Sequence, residues 1–128
     1  MHKVYQQNPE FFEADLLVPV PIHKSRLRER GFNQALLLAR DLGRMAAVPH
    51  AEILARKLKT KSQTSLGRKD RLENIKDAFI CIDKRAVKGK AIILIDDVCT
   101  TTATLEECAR TLRKAGAREV LALTALRE

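Results

Sequence analysis

The chain has 128 residues, a formal net charge of +8 and a pI near 9.8, with 45% hydrophobic and 31% charged residues. This length supports one hydrophobic core but not two, and we expect a single domain over residues 1–128. No apolar run approaches the roughly 20 residues that a membrane span needs, and no secretory signal opens the sequence. Zinc binding through cysteines is also not indicated, because Cys81, Cys99 and Cys108 have no CxxC spacing. An odd, unpaired set of cysteines fits a reducing, cytoplasmic location.

The predicted elements alternate between strands and helices along the chain. Periodicity and turn residues predict a short helix from Asn8-Pro9 to about Ala14, a strand over Leu16–Val20, and a helix from the cap residue Asn33 to about Ala46. Two strands follow, over Glu52–Lys57 and Ala78–Ile82, and then a deeply buried strand over Ala91–Ile95. The last elements are a helix with Leu105, Cys108, Ala109 and Leu112 on one face and a strand over Val120–Ala125. We expect Thr104 and Glu107 to form a capping box. This order predicts an α/β fold with a doubly wound, mostly parallel sheet.

The positive charge is concentrated in two short stretches. Residues 24–30 and 56–71 hold eleven basic and two acidic residues, whereas the other 105 positions hold thirteen basic and fourteen acidic residues. We expect both stretches to be loops, because Pro19-Val20-Pro21 and Gly31 flank the first and residues 59–70 are rich in Ser and Thr. Charge runs are most often solvated surface, so position alone does not assign them a ligand.

The segment Ile92–Leu105 contains the strongest functional signal. Four apolar residues lead into Asp96 and Asp97, followed by a turn that contains Thr100, Thr101 and Thr102. Ligands of parallel sheets bind beyond the carboxyl ends of the strands, and the start of the next helix favours anions. Threonine hydroxyls and backbone N–H groups suit a phosphate, and carboxylates accept hydrogen bonds from sugar hydroxyls. This combination predicts a ribose phosphate site. The alternatives are acids that merely open a helix, or a nucleotide-hydrolase strand, for which the GxxxxGK[ST] loop is missing.

The same residues resemble the ribosyl-diphosphate-binding motif of type I phosphoribosyltransferases. Pro19-Val20-Pro21 with the run Arg26–Gln34, and the segment Arg56–Phe79, resemble the ComF (ComFC) branch associated with competence. The resemblance implies a type I phosphoribosyltransferase-like, Rossmann-like fold. Thr102 stands where the motif usually has glycine, and the zinc module found upstream in the family is not expected here.

The resemblance also implies roles for individual residues. Asp96 and Asp97 would be the catalytic acids that position the ribose. The phosphoribosyl diphosphate would be bound by Val98, Cys99, Thr100, Thr101, Thr102, Ala103 and Thr104. The pyrophosphate loop would contribute His23, Arg26, Arg28 and Arg30, and a flexible loop would contribute Arg56, Lys57, Lys61, Gln63, Arg68 and Arg71. Mg²⁺ would be held mainly by the diphosphate, the ribose hydroxyls and water, so no direct protein ligand is assigned.

Three functions from different classes remain open on the sequence. The first is an enzyme that transfers ribosyl 5-phosphate from phosphoribosyl diphosphate and releases pyrophosphate. The second is a DNA-uptake module that binds single-stranded DNA or a helicase partner, although only 4% of residues are aromatic and stacking platforms are therefore scarce. The third is a sensor of phosphoribosyl diphosphate that does not catalyse. A homodimer is compatible with each.

Overall fold

The computed structural model describes residues 1–57, 76–99 and 102–127. Its elements, in chain order, are α1 (His2–Gln7), a 3-10 helix (Pro9–Glu13), β1 (Leu16–Pro19), α2 (Lys24–Arg30), α3 (Gln34–Ala46), β2 (Leu54–Arg56), β3 (Phe79–Cys81), α4 (Lys84–Val87), β4 (Ala91–Cys99), α5 (Ala103–Lys114) and β5 (Glu119–Arg127). The predicted α/β class is confirmed. None of the helices in these ranges is long and apolar enough to cross a membrane.

A parallel sheet in the order β1-β4-β5 forms the centre of the fold. Leu16 pairs with Ile92 on one side of β4, and Ala91 pairs with Glu119 on the other. Ile92 to Ile95 are almost completely inaccessible to solvent. The uninterrupted apolar run is therefore a strand with both faces covered, as its sequence predicts.

Each face of the sheet has its own apolar core. On one face, Leu94 packs in a cluster with Cys108 and Leu112 of α5. On the other, Ile93 packs with Ala39 and Leu42 of α3. Cys108, which the sequence places on the same helix face as Leu112, is fully buried, and burial raises the pKa of its thiol to about 12. The two cores hold β4 between them from both faces of the sheet.

The second sheet is a small antiparallel pair of β2 and β3. Both strands are shorter than the predicted Glu52–Lys57 and Ala78–Ile82, and they form a sheet separate from the parallel one, although they pack in the same apolar cluster as Leu94. The predicted loop over residues 59–70 lies outside the described residues.

The prediction of a loop over residues 24–30 is wrong, because this stretch is helix α2. His23 precedes the helix, and its Nδ1 accepts a hydrogen bond of 3.1 Å from the backbone N–H of Ser25. Gly31 ends the helix with a φ of 80°, a conformation that glycine adopts without strain. Arg28 and Arg30 lie in the last turn, where cations are favoured by the helix dipole. Caps at both ends and this charge placement explain the helix.

The capping box of Thr104 and Glu107 is also wrong. Thr102 is the residue that precedes α5, and Glu107 instead contacts Arg110 and the backbone N–H of Asp77. By contrast, the Asn33 cap is confirmed, since its Oδ1 accepts from the N–H of Ala35 at 3.0 Å.

Several predicted boundaries differ from the structure. β4 extends to Cys99 rather than ending at Ile95, because the ladder with β5 continues through Asp96 to Cys99. The predicted helix from Asn8 to Ala14 is a 3-10 helix over Pro9–Glu13, and α1 and α4 have no counterpart in the prediction. The acids therefore lie within the end of a strand, held by its ladder.

Candidate functional site

Two adjacent carboxylates lie near the carboxyl end of β4. Asp96 pairs in register with Thr124 of β5, so the sheet ladder fixes its backbone. The N–H of Asp97 donates to Oδ1 of Asp96 at 2.9 Å. Asp96 and Asp97 are both partly buried, and the side chain of Asp97 is 28% exposed. The strand thus presents two partly buried carboxylates side by side.

The shielded position of Asp96 changes its acidity. Burial, together with a side-chain hydrogen bond to Asp97 and the negative charge of Asp97, raises the pKa of Asp96 to about 6. The N–H of Asp97 and the more distant charge of Arg56 oppose this effect. Asp96 therefore takes up a proton just below neutral pH, far above the ordinary range for aspartate.

An arginine of α2 reaches these acids from a distant part of the sequence. Nη1 of Arg30 lies 3.5 Å from Oδ2 of Asp97, although 67 positions separate the two residues. Residues 23–32 are exposed throughout, so α2 has no buried side chain. The fold brings one edge of a cationic helix to the acidic strand end, which neither segment indicates alone.

The other residues assigned to the pyrophosphate loop occupy different positions on α2. Arg26 and Arg28 are exposed on the helix. His23 caps the helix, with its Nδ1 also 2.7 Å from the hydroxyl of Ser25. His23 therefore caps the start of α2, and its assignment to the pyrophosphate site stays a prediction.

Arg56 is a partly buried residue at the end of β2 rather than part of a loop. Its Nε donates to the carbonyl oxygen of Pro21 at 3.2 Å, and its guanidinium carbon lies 4.9 Å from the centre of the Phe79 ring. Burial lowers the pKa of Arg56, although the group stays charged at neutral pH. Arg56 therefore joins β2 and β3 to the turn that follows β1 and leads into α2.

The contacts of Arg56 were not predicted. Pro21 and Phe79 lie on other segments, and nothing local in the sequence marks a carbonyl acceptor or an aromatic face as a partner for an arginine. Lys57 follows β2, and its N–H donates to the carbonyl of Ala78 at 2.8 Å. The remaining residues assigned to the flexible loop, Lys61, Gln63, Arg68 and Arg71, lie outside the described residues.

The threonine-rich turn is described only at its two ends. Val98 and Cys99 close β4, Thr100 and Thr101 lie outside the described residues, and Ala103 and Thr104 form the first turn of α5.

Thr102 precedes α5 in an ordinary right-handed conformation. Its φ is −82°, and its hydroxyl donates to Oε1 of Glu106 at 3.0 Å. A branched side chain therefore fits at the position where the motif usually has glycine, since the backbone there needs no positive φ.

An ionic junction between α5 and the segment before β3 was also not predicted. Glu107 is only 8% exposed and accepts from Arg110 and from the N–H of Asp77 at 2.9 Å. Arg110 in turn donates to Oδ1 of Asp77 at 2.6 Å. These contacts lower the pKa of both Glu107 and Asp77. The i,i+3 spacing of Glu107 and Arg110 is a sequence signal for the pair, but the third member is 30 residues away and has none.

The described residues contain no group of three or more His, Cys, Asp or Glu side chains arranged to hold a metal ion. The carboxylates of Asp96 and Asp97 are hard oxygen donors of the kind that suits Mg²⁺ and its water shell.

The fold and this strand end define a phosphoribosyl transferase domain. The family model with the description "Phosphoribosyl transferase domain" matches residues 29–127, and the chain belongs to this family. Within it, the resemblance to the ComF branch is confirmed by curated relatives. The chain is 39% identical to the competence protein ComFC of Bacillus subtilis over 113 residues, which is 88% of this chain and 44% of that protein. It is 37% identical to the competence protein F of Haemophilus influenzae over 108 residues, covering 83% and 47%.

A third relative carries a different name. The DNA utilization protein YhgH of Escherichia coli is 36% identical over 107 residues, covering 83% of this chain and 46% of that protein. The chain therefore spans about half the length of the curated relatives it matches.

Solved structures support the fold. A glutamine phosphoribosylpyrophosphate amidotransferase from B. subtilis matches with a TM-score of 0.65 and 19% identity, covering 97% of this chain and 24% of that one. A purine phosphoribosyltransferase from Pyrococcus horikoshii matches with a TM-score of 0.58 and 14% identity, covering 99% and 78%. At these identities the likeness establishes the fold, and the activity is a separate question.

Proposed function

We propose that this chain binds phosphoribosyl diphosphate with Mg²⁺ and transfers its ribosyl 5-phosphate to an acceptor, releasing pyrophosphate. One observation supports the proposal above the others: the approach of Arg30 to Asp97, which joins a cationic helix to an acidic strand end across 67 positions. A ligand with hydroxyls on one side and a diphosphate on the other matches this division of charge.

Asp96 and Asp97 would bind the ribose. Their carboxylates would accept hydrogen bonds from the two ring hydroxyls, and the ladder between β4 and β5 fixes the backbone of Asp96 in advance. The 5-phosphate would lie at the turn over residues 98–104, at the start of the twelve-residue helix α5, where N–H groups and the helix dipole favour an anion.

Arg26, Arg28 and Arg30 would hold the diphosphate. In the transfer, the bond between the ribose carbon C1 and the pyrophosphate oxygen breaks and the electron pair leaves with pyrophosphate, while the acceptor's lone pair forms the new bond at C1. Guanidinium groups that offset the growing negative charge of pyrophosphate lower the barrier. A carboxylate beside the ribose offsets the positive charge that develops on the ring. Mg²⁺, when bound to the diphosphate, would add further charge neutralisation, and its ligands would come mainly from the substrate and water.

Turnover separates the enzyme from the sensor. Incubation with phosphoribosyl diphosphate, Mg²⁺ and a panel of acceptors should release pyrophosphate with at least one acceptor class, measured by a coupled phosphate assay. Binding without release for every acceptor would instead favour a sensor.

We propose that the site functions within a single domain over residues 1–128 and in a reducing, cytoplasmic environment, in keeping with Cys81 and Cys108 being free thiols.

A DNA-binding role is the second candidate, favoured by α2. All of residues 23–32 are exposed, including the apolar Leu27 and Phe32 beside the cations. Arginines that contact phosphates and an aromatic ring on which a base stacks would suit single-stranded DNA, or an acidic surface of a helicase partner. The names of the relatives, which refer to competence and DNA utilization, point the same way.

Salt dependence identifies DNA binding. If four cations of α2 contact phosphates, the affinity for an oligothymidylate should fall about tenfold or more between 50 and 200 mM salt. An affinity that does not respond to salt would contradict this role.

A further inference from the structure

Among the described residues, the outer edge of β5 has no partner strand, and the strand carries opposite charges at its two ends. β5 is the terminal strand in the sheet order β1-β4-β5, and within the described residues no strand pairs with its far side. Its nine residues begin with Glu119 and end with Arg127, and the seven between them carry no charge, no proline and no glycine. Proteins usually protect such an edge with lysine, proline or a bulge, and none of these lies within this strand.

The backbone direction at this edge follows from the ladder with β4. The carbonyl groups of Ala91 and Ile95 accept from the N–H groups of Asp15 and Val20 on the β1 side, so the even-numbered residues of β4 face β5. In a parallel ladder only one residue of each register pair turns its N–H and C=O groups to the other strand, so the odd-numbered residues of β5 face β4. The even-numbered residues, from Val120 to Leu126, therefore turn their N–H and C=O groups to the open edge. These groups need partners from water or from another strand.

We propose that β5 pairs antiparallel with β5 of a second copy of this chain, about a two-fold axis at Leu123, to form a continuous six-stranded sheet. In this register Ala122 faces Thr124 of the other copy through two backbone hydrogen bonds, and Val120 faces Leu126 in the same way. Position 119 then faces position 127 at both ends of the pair. The two-fold axis therefore places Glu119 of each copy opposite Arg127 of the other copy.

Charge selects this register among those that the backbone allows. Moving the axis to Ala122 or Thr124 also pairs even-numbered residues, but it places Glu119 or Arg127 opposite an uncharged residue or beyond the end of the strand. Opposite charges at facing positions stabilise an antiparallel pair, and like charges destabilise it. A second copy therefore fits this edge better than an unrelated strand, which would lack matching charges at both ends.

The cores on both faces of the sheet reach this edge. Val120 packs at the margin of the cluster that contains Leu112, and Leu121 lies at the margin of the cluster that contains Leu123. Both Val120 and Leu121 remain partly exposed. Pairing of the two β5 strands would cover this remaining apolar surface on each face, in addition to forming the ladder.

Two charge reversals test the register directly. Glu119→Arg places like charges opposite each other in its homodimer, and so does Arg127→Glu. An equal mixture of the two variants restores opposite charges at both ends. We expect sedimentation velocity at low salt to show a concentration-dependent dimer for the unmodified chain. Each single variant should have a dissociation constant about tenfold higher, and the mixture should recover most of that loss.

A backbone variant tests the edge itself. Ala122→Pro removes an outward N–H without touching the ladder to β4, so dimers should be lost while circular dichroism and the melting temperature stay close to those of the unmodified chain. Ala122→Ser, which keeps the N–H, should dimerise normally. A monomer at every concentration, a dimer that survives Ala122→Pro, or a mixture no tighter than its components would overturn the proposal. These readouts need no ligand and are independent of the proposed function.

Discussion

The carboxyl end of β4 and the helix α2 contribute opposite charges to one candidate site, yet they are built in opposite ways. β4 is fixed by ladders on both sides and by a core on each face. α2 has no buried residue and is held by its caps and by the approach of Arg30 to Asp97. A rigid acidic strand would define where a sugar lies, whereas an exposed cationic helix can adjust to a diphosphate that arrives and leaves. In this account the strand positions the sugar, and the helix supplies the positive charge that binds the diphosphate.

Removing both acids should have the largest effect. Asp96→Asn combined with Asp97→Asn should weaken binding of phosphoribosyl diphosphate by about a hundredfold or more, because two charge-assisted hydrogen bonds to ribose hydroxyls are lost. Titration calorimetry measures the affinity, and circular dichroism checks the fold. Asp83→Asn is the matched control: Asp83 caps α4 through the N–H of Ala86, and asparagine can serve as that cap. Unchanged affinity in the double variant would remove the acids from the site.

Neutralising the helix should have a smaller and more selective effect. Arg26→Gln combined with Arg28→Gln should weaken binding of phosphoribosyl diphosphate by about tenfold but that of ribose 5-phosphate by less than about threefold, since only the first ligand carries a diphosphate. Arg40→Gln with Arg44→Gln changes the charge equally on the exposed side of α3 and serves as the control. Equal losses for the two ligands would contradict the division between strand and helix.

The shielding of Asp96 should be visible in the pH dependence of stability. Its pKa is about 6 in the folded chain against 3.8 when unshielded, so the folded state holds the proton more tightly. Stability should therefore fall as pH rises from about 4 to 6, by about 1–2 kcal/mol for a partly solvated group. Asp96→Asn should remove this decline, as measured by urea unfolding across the range. A decline of the same size in the variant would assign the effect to another group.

The smallest effect should come from Thr102. Its φ of −82° suits any residue, so Thr102→Gly should change the affinity for phosphoribosyl diphosphate by less than about threefold and cost only a few tenths of a kcal/mol in stability. Thr104→Gly, inside the first turn of α5, is the comparison and should cost more stability. A large loss of affinity on Thr102→Gly would show that the hydroxyl binds phosphate instead of remaining on Glu106.

Sequence reasoning succeeded where a residue's environment is determined by its neighbours along the chain. The apolar run ending at Asp96, the Asn33 cap and the burial of Cys108 all follow from local pattern. It failed for residues 24–30, because charge and a flanking proline suggested a loop while the His23 cap and Gly31 favour a helix.

Contacts between residues that are distant in the sequence could not be predicted from it. The contact of Arg56 with Pro21, the Glu107 junction with Asp77 and the meeting of Arg30 with Asp97 join residues 30 to 67 positions apart. No periodicity or spacing encodes such pairs in a single sequence. The assigned site residues themselves remain predictions, and the variants above are their test.

The most direct measurement is calorimetric titration of the unmodified chain with phosphoribosyl diphosphate and Mg²⁺, alongside ribose 5-phosphate and a short single-stranded DNA. Our account predicts binding of the diphosphate in the micromolar range, about tenfold or more tighter than ribose 5-phosphate. Absence of sugar-phosphate binding, together with salt-sensitive binding of DNA, would contradict it. In that case the acid–threonine segment would be only part of the scaffold, and the exposed arginines of α2 would bind nucleic acid.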